Sequence, residues 1–292
     1  MMPAMYSAIS GLEAHQTMLD VTANNLANVD TIGYKAQRTT FASSLAELLS
    51  NGSGQTGANG GTNPMQIGLG VQVGSIDNVM SAGSMQSTGN TLDIAIQGEG
   101  FLCVGNGTPG ATPTSGVPAA NTLQFTQAGN LTTDSAGYLT TASGQYVIGS
   151  TTAGGTTPNT YLLIPPGSTN VSIGPDGSVS YTDENTADAT YGQTVISGYV
   201  SLATFPNQAG LTRDASSNWS TSANSGAATF GTPSTGTFAN TQTISGELEQ
   251  SNVDMASEFT NMIEAERGYQ ANSSVISKAD QMMQTLVQMA QG

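Results

Sequence analysis

Residues 251–289 read SNVDMASEFTNMIEAERGYQANSSVISKADQMMQTLVQM. This stretch decides the fold. From Met255 to Met289 it contains no proline, and Gly268 is its only glycine. Ser251 to Asp254 offer polar N-cap groups, and Asp254 also suits the positive end of a helix dipole. Met255, Phe259, Met262, Tyr269, Ile276, Met283 and Val287 form one apolar stripe at helical spacing. Ala265, Val275, Ala279, Met282, Leu286 and Met289 form a second. Two stripes on one helix require two sets of neighbours. A helix this long spans roughly 50–55 Å. One small core cannot cover it, so it projects from its domain or packs on other chains.

The opposite end of the chain carries a second helical pattern. Residues 2–29 have Pro3 where a first helical turn tolerates it, and Gly11 is their only glycine. Met2, Met5, Ile9, Leu12, Gln16, Leu19, Ala23 and Leu26 follow in steps of three and four. That is a heptad pattern with one polar position, and it predicts an amphipathic helix ending between Asn28 and Gly33.

Between the ends, the period changes to two. Val71-Gln72-Val73, Thr91 to Ile96, Phe101 to Val104, Leu123 to Phe125, Tyr138-Leu139 and Gly198 to Phe205 read as short strands. Asn170 to Ile173 and Ser178 to Tyr181 flank Gly174-Pro175-Asp176-Gly177, a hairpin signal. Residues 50–63 and 105–121 read as loops, and 214–243 as an irregular polar tract. The expected class is therefore α+β. Residues 1–33 and 250–292 are expected to be helical, 34–75 an extended connector with a Gly-rich loop, and 76–249 β-rich.

Charge narrows the function. The 292 residues hold five Lys and Arg against twenty Asp and Glu, a net charge of −15. So few cations cannot neutralise a run of phosphates, which excludes nucleic acid as a partner. No apolar stretch of about 18 residues is present to cross a membrane. Residues 39–266 contain sixteen acids and one base, Arg213, whereas the residues on either side sum to zero. Near-neutral helical ends and an acidic middle suit a particle that buries its ends in an assembly. Met1-Met2-Pro3 carries no cation and no continuous apolar run follows, so no cleavable signal peptide is expected.

Catalytic candidates are few. His15, the single histidine, lies inside the N-terminal helix, with no nucleophile and carboxylate at motif spacing. Cys103, the single cysteine, sits in an apolar run and reads as a small buried hydrophobe. Gly105 to Gly110 fits GxGxxG but does not open a helix. No catalytic residue, metal or cofactor is expected.

Longer motifs carry a resemblance. Ala23-Asn24-Asn25-Leu26-Ala27-Asn28-Val29-Asp30-Thr31-Ile32-Gly33-Tyr34-Lys35 resembles the N-terminal signature of bacterial flagellar rod and hook proteins. Ser251 to Asp254, Glu258 to Thr260 and Glu266-Arg267-Gly268-Tyr269-Gln270-Ala271-Asn272-Ser273 resemble the C-terminal one. Gln86 to Gly89, Leu92 to Ile96, Gly98 to Phe101 and Phe125 to Leu131 resemble the central β-domain, with Gln127 where a base is usual. The resemblance spans nearly the whole chain. Asn24, Asn25, Asn28, Gly33, Tyr34, Asn252 and Arg267 are its signature positions.

That resemblance implies that residues 1–33 with 250–292 make one discontinuous helical coiled-coil domain, with 76–249 as a β-rich outer domain. It also implies a helical homopolymer around a channel, with the paired helices inside and the β-domain outside. Met5, Ile9, Leu12, Leu19, Leu26, Phe259, Met262, Tyr269, Ile276, Met283 and Leu286 become self-assembly residues. Implied partners are further copies, other rod, hook-cap and hook–filament junction proteins, and the type III export gate. Phe41-Ala42-Ser43-Ser44-Leu45 matches the export element, with Phe41 and Leu45 as the residues read. The implied location is the flagellar hook or basal body outside the cell. The look of Gly61 to Val71 favours a short hook protein, a torque-transmitting joint, with the distal rod as the alternative. A secreted β-rich adhesin is the remoter one.

Overall fold

The computed structural model describes residues 2–55, 60–107, 122–184 and 191–291. The chain divides into two compact units. The helical unit comprises Met1–Ala27, Ala36–Val79 and Val253–Gly292, and the β unit Asn28–Lys35 and Met80–Asn252.

In the helical unit, α1 (Met2–Ala27) and α2 (Met255–Gln291) pack together. The pairing is antiparallel, since Gly11 lies against Asn272, His15 against Gly268 and Asn25 against Glu258. Asp254 caps α2, its Oδ1 accepting the Ala256 N–H at 3.0 Å. Residues 36–79, most of which lie in the expected extended connector 34–75, form two antiparallel pairs. Strand β1 (Gln37–Ser43) pairs with β4 (Val71–Asn78), and β2 (Ala46–Ser50) with β3 (Met65–Gly68). Val71, Val73 and Ser75 alternate with more exposed neighbours, as a strand covered on one face must. That covered face meets α1. Of the expected loop at 50–63, Ser53 and Thr62 form a bridge, and residues 56–59 lie outside the described residues.

The β unit is built on an antiparallel sheet whose path runs through 169–173, 178–182, 194–200, 146–150, 101–105, 124–126, 218–220 and 212–213. Phe101–Gly105 is buried on both faces. Leu102 and Val104 enter a core with Leu131, Leu139 and Phe238. Phe101 and Cys103 enter a second core with Phe125, Tyr161, Phe205 and Trp219. The period of two thus feeds two cores, which explains an uninterrupted apolar run. The 169–173/178–182 hairpin stands where Gly174 to Gly177 places it, with Asp176 Oδ1 accepting the Ser178 N–H. Tract 214–243 is not irregular throughout. It holds strands Asn218–Ser220 and Thr229–Gly231, and its Trp219 and Phe238 are fully buried. Isolated aromatics in a polar tract carry no period, so they gave no strand signal. Of the Gly105 to Gly110 motif, residues 108–110 lie outside the described residues, as do residues 111–121 of the expected loop at 105–121.

Charge follows the fold and not the chain ends. The helical unit contains nine acids and three bases, Arg38, Arg267 and Lys278. It is therefore acidic, because residues 253–266 and the β1–β4 strands belong to it.

Candidate assembly surface

The buried seam of the helical unit is made of small residues. Ala8, Gly11, Ala14, Val21, Thr22 and Asn25 are buried on α1, and Ala265 and Ala279 on α2. A methyl on Gly268 would lie 2.5 Å from the His15 ring, and one on Gly11 2.5 Å from Asn272 Nδ2. Small residues thus set the close approach of the helices. The expected α1 stripe is displaced by one residue from this seam. Met5, Leu12, Leu19 and Leu26 are half-buried, and Ile9 is 41% exposed.

The apolar residues of α2 are mostly outside the seam. Met262 and Ile276 are half-buried, while Phe259, Tyr269, Met283 and Leu286 are 40–50% exposed. Ala4, near the start of α1, borders a groove with Ala279 and Met282. All residues from 280 to 290 are exposed. About nine residues of α2 therefore extend past α1, some 14 Å of helix. Met283, Leu286, Val287 and Met289 lie on this overhang. Covering each such side chain is worth about 1.5–3 kcal/mol.

A second uncovered apolar surface is the β2–β3 pair, both strands of which are exposed throughout. Leu48, Leu49, Met65 and Ile67 are 48–60% exposed. A two-stranded hairpin is marginal alone in water, so this one also lacks a cover. Phe41 lies on β1, 41% exposed, its ring centroid 5.8 Å from that of His15. Leu45 is 76% exposed.

The signature positions hold local structure. Asn25 is fully buried and clamps the strand after the turn. Its Nδ2 donates to Gln37 O at 2.8 Å, and its Oδ1 accepts the Gln37 N–H at 2.9 Å. Asn28 Oδ1 accepts the Thr31 hydroxyl. Gly33 has φ +66°, and a Cβ there would meet the Gln127–Ala128 backbone at under 3 Å. The Arg213 guanidinium lies 4.3 Å over the Tyr34 ring and donates to Lys35 O. Lys35 forms a buried pair with Glu249 at 2.7 Å, and Glu249 also accepts the Gly83 N–H. Asn252 Nδ2 donates to Ser81 O at 3.0 Å. Asn24 is exposed, as is Arg267, on α2.

The catalytic candidates are packed as structural groups. His15 is wedged against Gly268 and Phe41, and its Nδ1 is buried with no partner. Burial pushes the Cys103 thiol far up from its ordinary range, only partly offset by a hydrogen bond with Ser201. It is held as the thiol, not the nucleophilic thiolate. Among the described residues, no cluster of His, Cys, Asp and Glu fit for a metal occurs, and no helix is long and apolar enough to cross a membrane.

Two features escaped the sequence reading. One is the seam, whose signal was the spacing Ala8-Gly11-Ala14 with the lone Gly268. The other is a cleft of about 350 Å³ lined by Thr22, Gln37, Arg38, Thr39, Glu258 and Asn261, among others. It is assembled from α1, β1 and α2, so no local motif announces it.

Comparison with known proteins agrees with this layout. Residues 5–35 match the flagella basal body rod protein family, and 244–289 the flagellar basal body rod FlgEFG protein C-terminal family. Residues 95–181 match the flagellar hook protein FlgE/F/G D1 domain. The chain is 39% identical over 291 residues to the flagellar basal-body rod protein FlgG of Bacillus subtilis (strain 168), covering 98% of each. It is 33% identical over 290 residues to FlgG of Caulobacter vibrioides, covering 99% of each. It is 46% identical to the flagellar hook protein FlgE of Borreliella burgdorferi over 107 residues, 37% of this chain and 24% of that one. With matching segments at both ends and in the middle, in order, this chain belongs to the flagellar basal-body rod and hook protein family, a family of structural subunits and not of enzymes.

Proposed function

We propose that the chain is a subunit of the distal rod, polymerising helically with its own copies into a hollow tube that transmits torque. The observation that carries this reading is the end-to-end match to rod proteins of the same length. The hook reading, suggested by Gly61 to Val71, has weaker support, because the hook protein matches this chain over only 24% of its own length. The apolar surface left open on α2 and on the β2–β3 hairpin fits a subunit completed by neighbours, with Phe259, Tyr269, Met283 and Leu286 at the contacts. Other axial proteins of the flagellum would meet the first and last copies. Immunogold labelling of isolated flagellar basal structures tests the assignment. Label on a straight segment supports the rod, and label on a curved segment overturns it.

Export without a cleaved signal peptide, through the type III gate, belongs to the same proposal. Phe41 and Leu45 are the residues the gate would read. The folded chain places Phe41 on a strand with its ring near His15, so an unfolded chain offers the element more openly. Phe41→Ala is expected to lower secretion several-fold, with the melting of the purified chain changed little. Equal secretion of the two forms removes this role.

A further inference from the structure

We propose that the cleft between α1, β1 and the start of α2 is a socket for Arg267 of a second copy of this chain. The inference rests on the axial-polymer reading and adds a specific contact to it.

Two polar atoms in the cleft are buried without a partner, Glu258 Oε2 and Thr39 Oγ1. Glu258 Oε1 is used, accepting Asn25 Nδ2 at 3.2 Å. A carboxylate oxygen and a hydroxyl left unpaired out of water are costly, by about 1–3 kcal/mol each. Such atoms call for a donor. Burial raises the Glu258 carboxyl above its ordinary 4.5; hydrogen bonds with Asn25 and Asn261 offset part of the rise, and Asp254 nearby adds a smaller one. An incoming cation would reverse the rise. Arg38, which lines the cleft, is 3.9 Å from Asp77 and largely exposed. The acids around the cleft, Glu258, Asp254 and Asp77, therefore outnumber its one base.

The donor is found by elimination among five cations. Lys35 is paired with Glu249, and Arg213 is held over Tyr34 and Trp219. Arg38 already belongs to the cleft. Arg267 and Lys278 remain, both exposed on α2. Arg267 shows no hydrogen bond or ion pair among the described residues, although it lies in the C-terminal signature. Glu258 and Arg267 are nine residues apart on one straight helix, about 13.5 Å along its axis. They can meet only between copies. A guanidinium presents several N–H donors in a plane and can serve the Glu258 carboxylate, the Thr39 hydroxyl and the Asn261 amide together. An ammonium acts as a point charge, so Arg267 is favoured over Lys278.

Charge exchange in the full-length chain tests this. Glu258→Arg and Arg267→Glu are each expected to lower the amount of sedimentable polymer, in purified protein or cell envelopes, roughly tenfold or more. The double variant is expected to recover to within about threefold of the original. Helicity of the dispersed variants is followed by circular dichroism. Arg267→Glu changes an exposed residue, so the test survives if Glu258→Arg does not fold. Full polymer from Arg267→Glu, no recovery in a double variant that keeps the helicity of the unaltered chain, or recovery with Lys278→Glu instead would each overturn the socket; if Glu258→Arg does not fold, Arg267→Glu alone decides. In all three cases the unaltered chain still polymerises and the axial reading stands. Absence of polymer from the unaltered chain would break that reading itself.

Discussion

The two units contain similar apolar material and treat it in opposite ways. In the β unit, Phe101, Leu102, Cys103, Val104 and Phe125 have no exposed surface. In the helical unit, Met255, Phe259, Ile263 and Met289 are 50–72% exposed. A sheet with two covered faces gives each alternate residue a core. A pair of helices seamed by Ala8, Gly11, Ala14 and Gly268 brings backbones close and spends few large side chains on the seam, His15 against Gly268 among them. Most of the large ones are left outside it. The β unit buries these side chains within one chain, and the helical unit leaves its own open, as the proposed polymer requires.

The largest expected effect comes from removing α2. A chain lacking residues 255–292 should form no polymer, while the near-UV signal of Trp219 persists. Tubes from the truncated chain would break the comparison. Next, Trp219→Ala should cost the β unit about 3–5 kcal/mol in thermal or denaturant unfolding. Leu286→Ala should change monomer stability by less than about 0.5 kcal/mol and yet reduce polymer yield. A large loss of monomer stability from Leu286→Ala would mean that α2 is already covered within one chain. Lys35→Ala leaves Glu249 buried with a hydrogen bond from Gly83 but no cation, and should cost about 3–5 kcal/mol.

The seam gives smaller effects. Gly268→Val should weaken the helix pair by about 1–3 kcal/mol, read as a lower melting point of the helical signal. Adding His15→Ala should recover part of it, because the imidazole is what the new side chain strikes. Simple additivity of the two changes would sink the close-approach account. The smallest effect is at Glu258. Its carboxyl is raised in the folded chain, so the folded state holds the proton more tightly than the unfolded one. The resulting destabilisation is absent below the ordinary 4.5 and complete above the raised value. Stability of the dispersed helical unit should therefore fall as pH rises through that window. Glu258→Gln should flatten this dependence, with Asp254 and Arg38 still present.

Much of the architecture was legible. Pro3, the three-and-four spacing, Asp254 and the break near Asn28 bound both helices. Gly174 to Gly177 located a hairpin, and Phe101 to Val104 a fully buried strand. The seam escaped because large residues dominate a heptad pattern, and small ones beside them make the close approach. The neutral ends did not survive folding either, since Glu258, Glu264 and Glu266 join the helices they were counted apart from. The Asn25 clamp on Gln37 and the Glu258–Thr39 cleft depend on residues far apart in sequence. No local period could reveal them.

Hydrogen exchange of residues 280–291, in the dispersed chain and in the polymer, shows whether further copies cover the free end of α2. Exchange is expected to be fast when dispersed, because residues 280–290 are exposed. In the polymer, protection greater by orders of magnitude is expected. Equal exchange in the two states would contradict this, showing that copies of the chain do not cover α2.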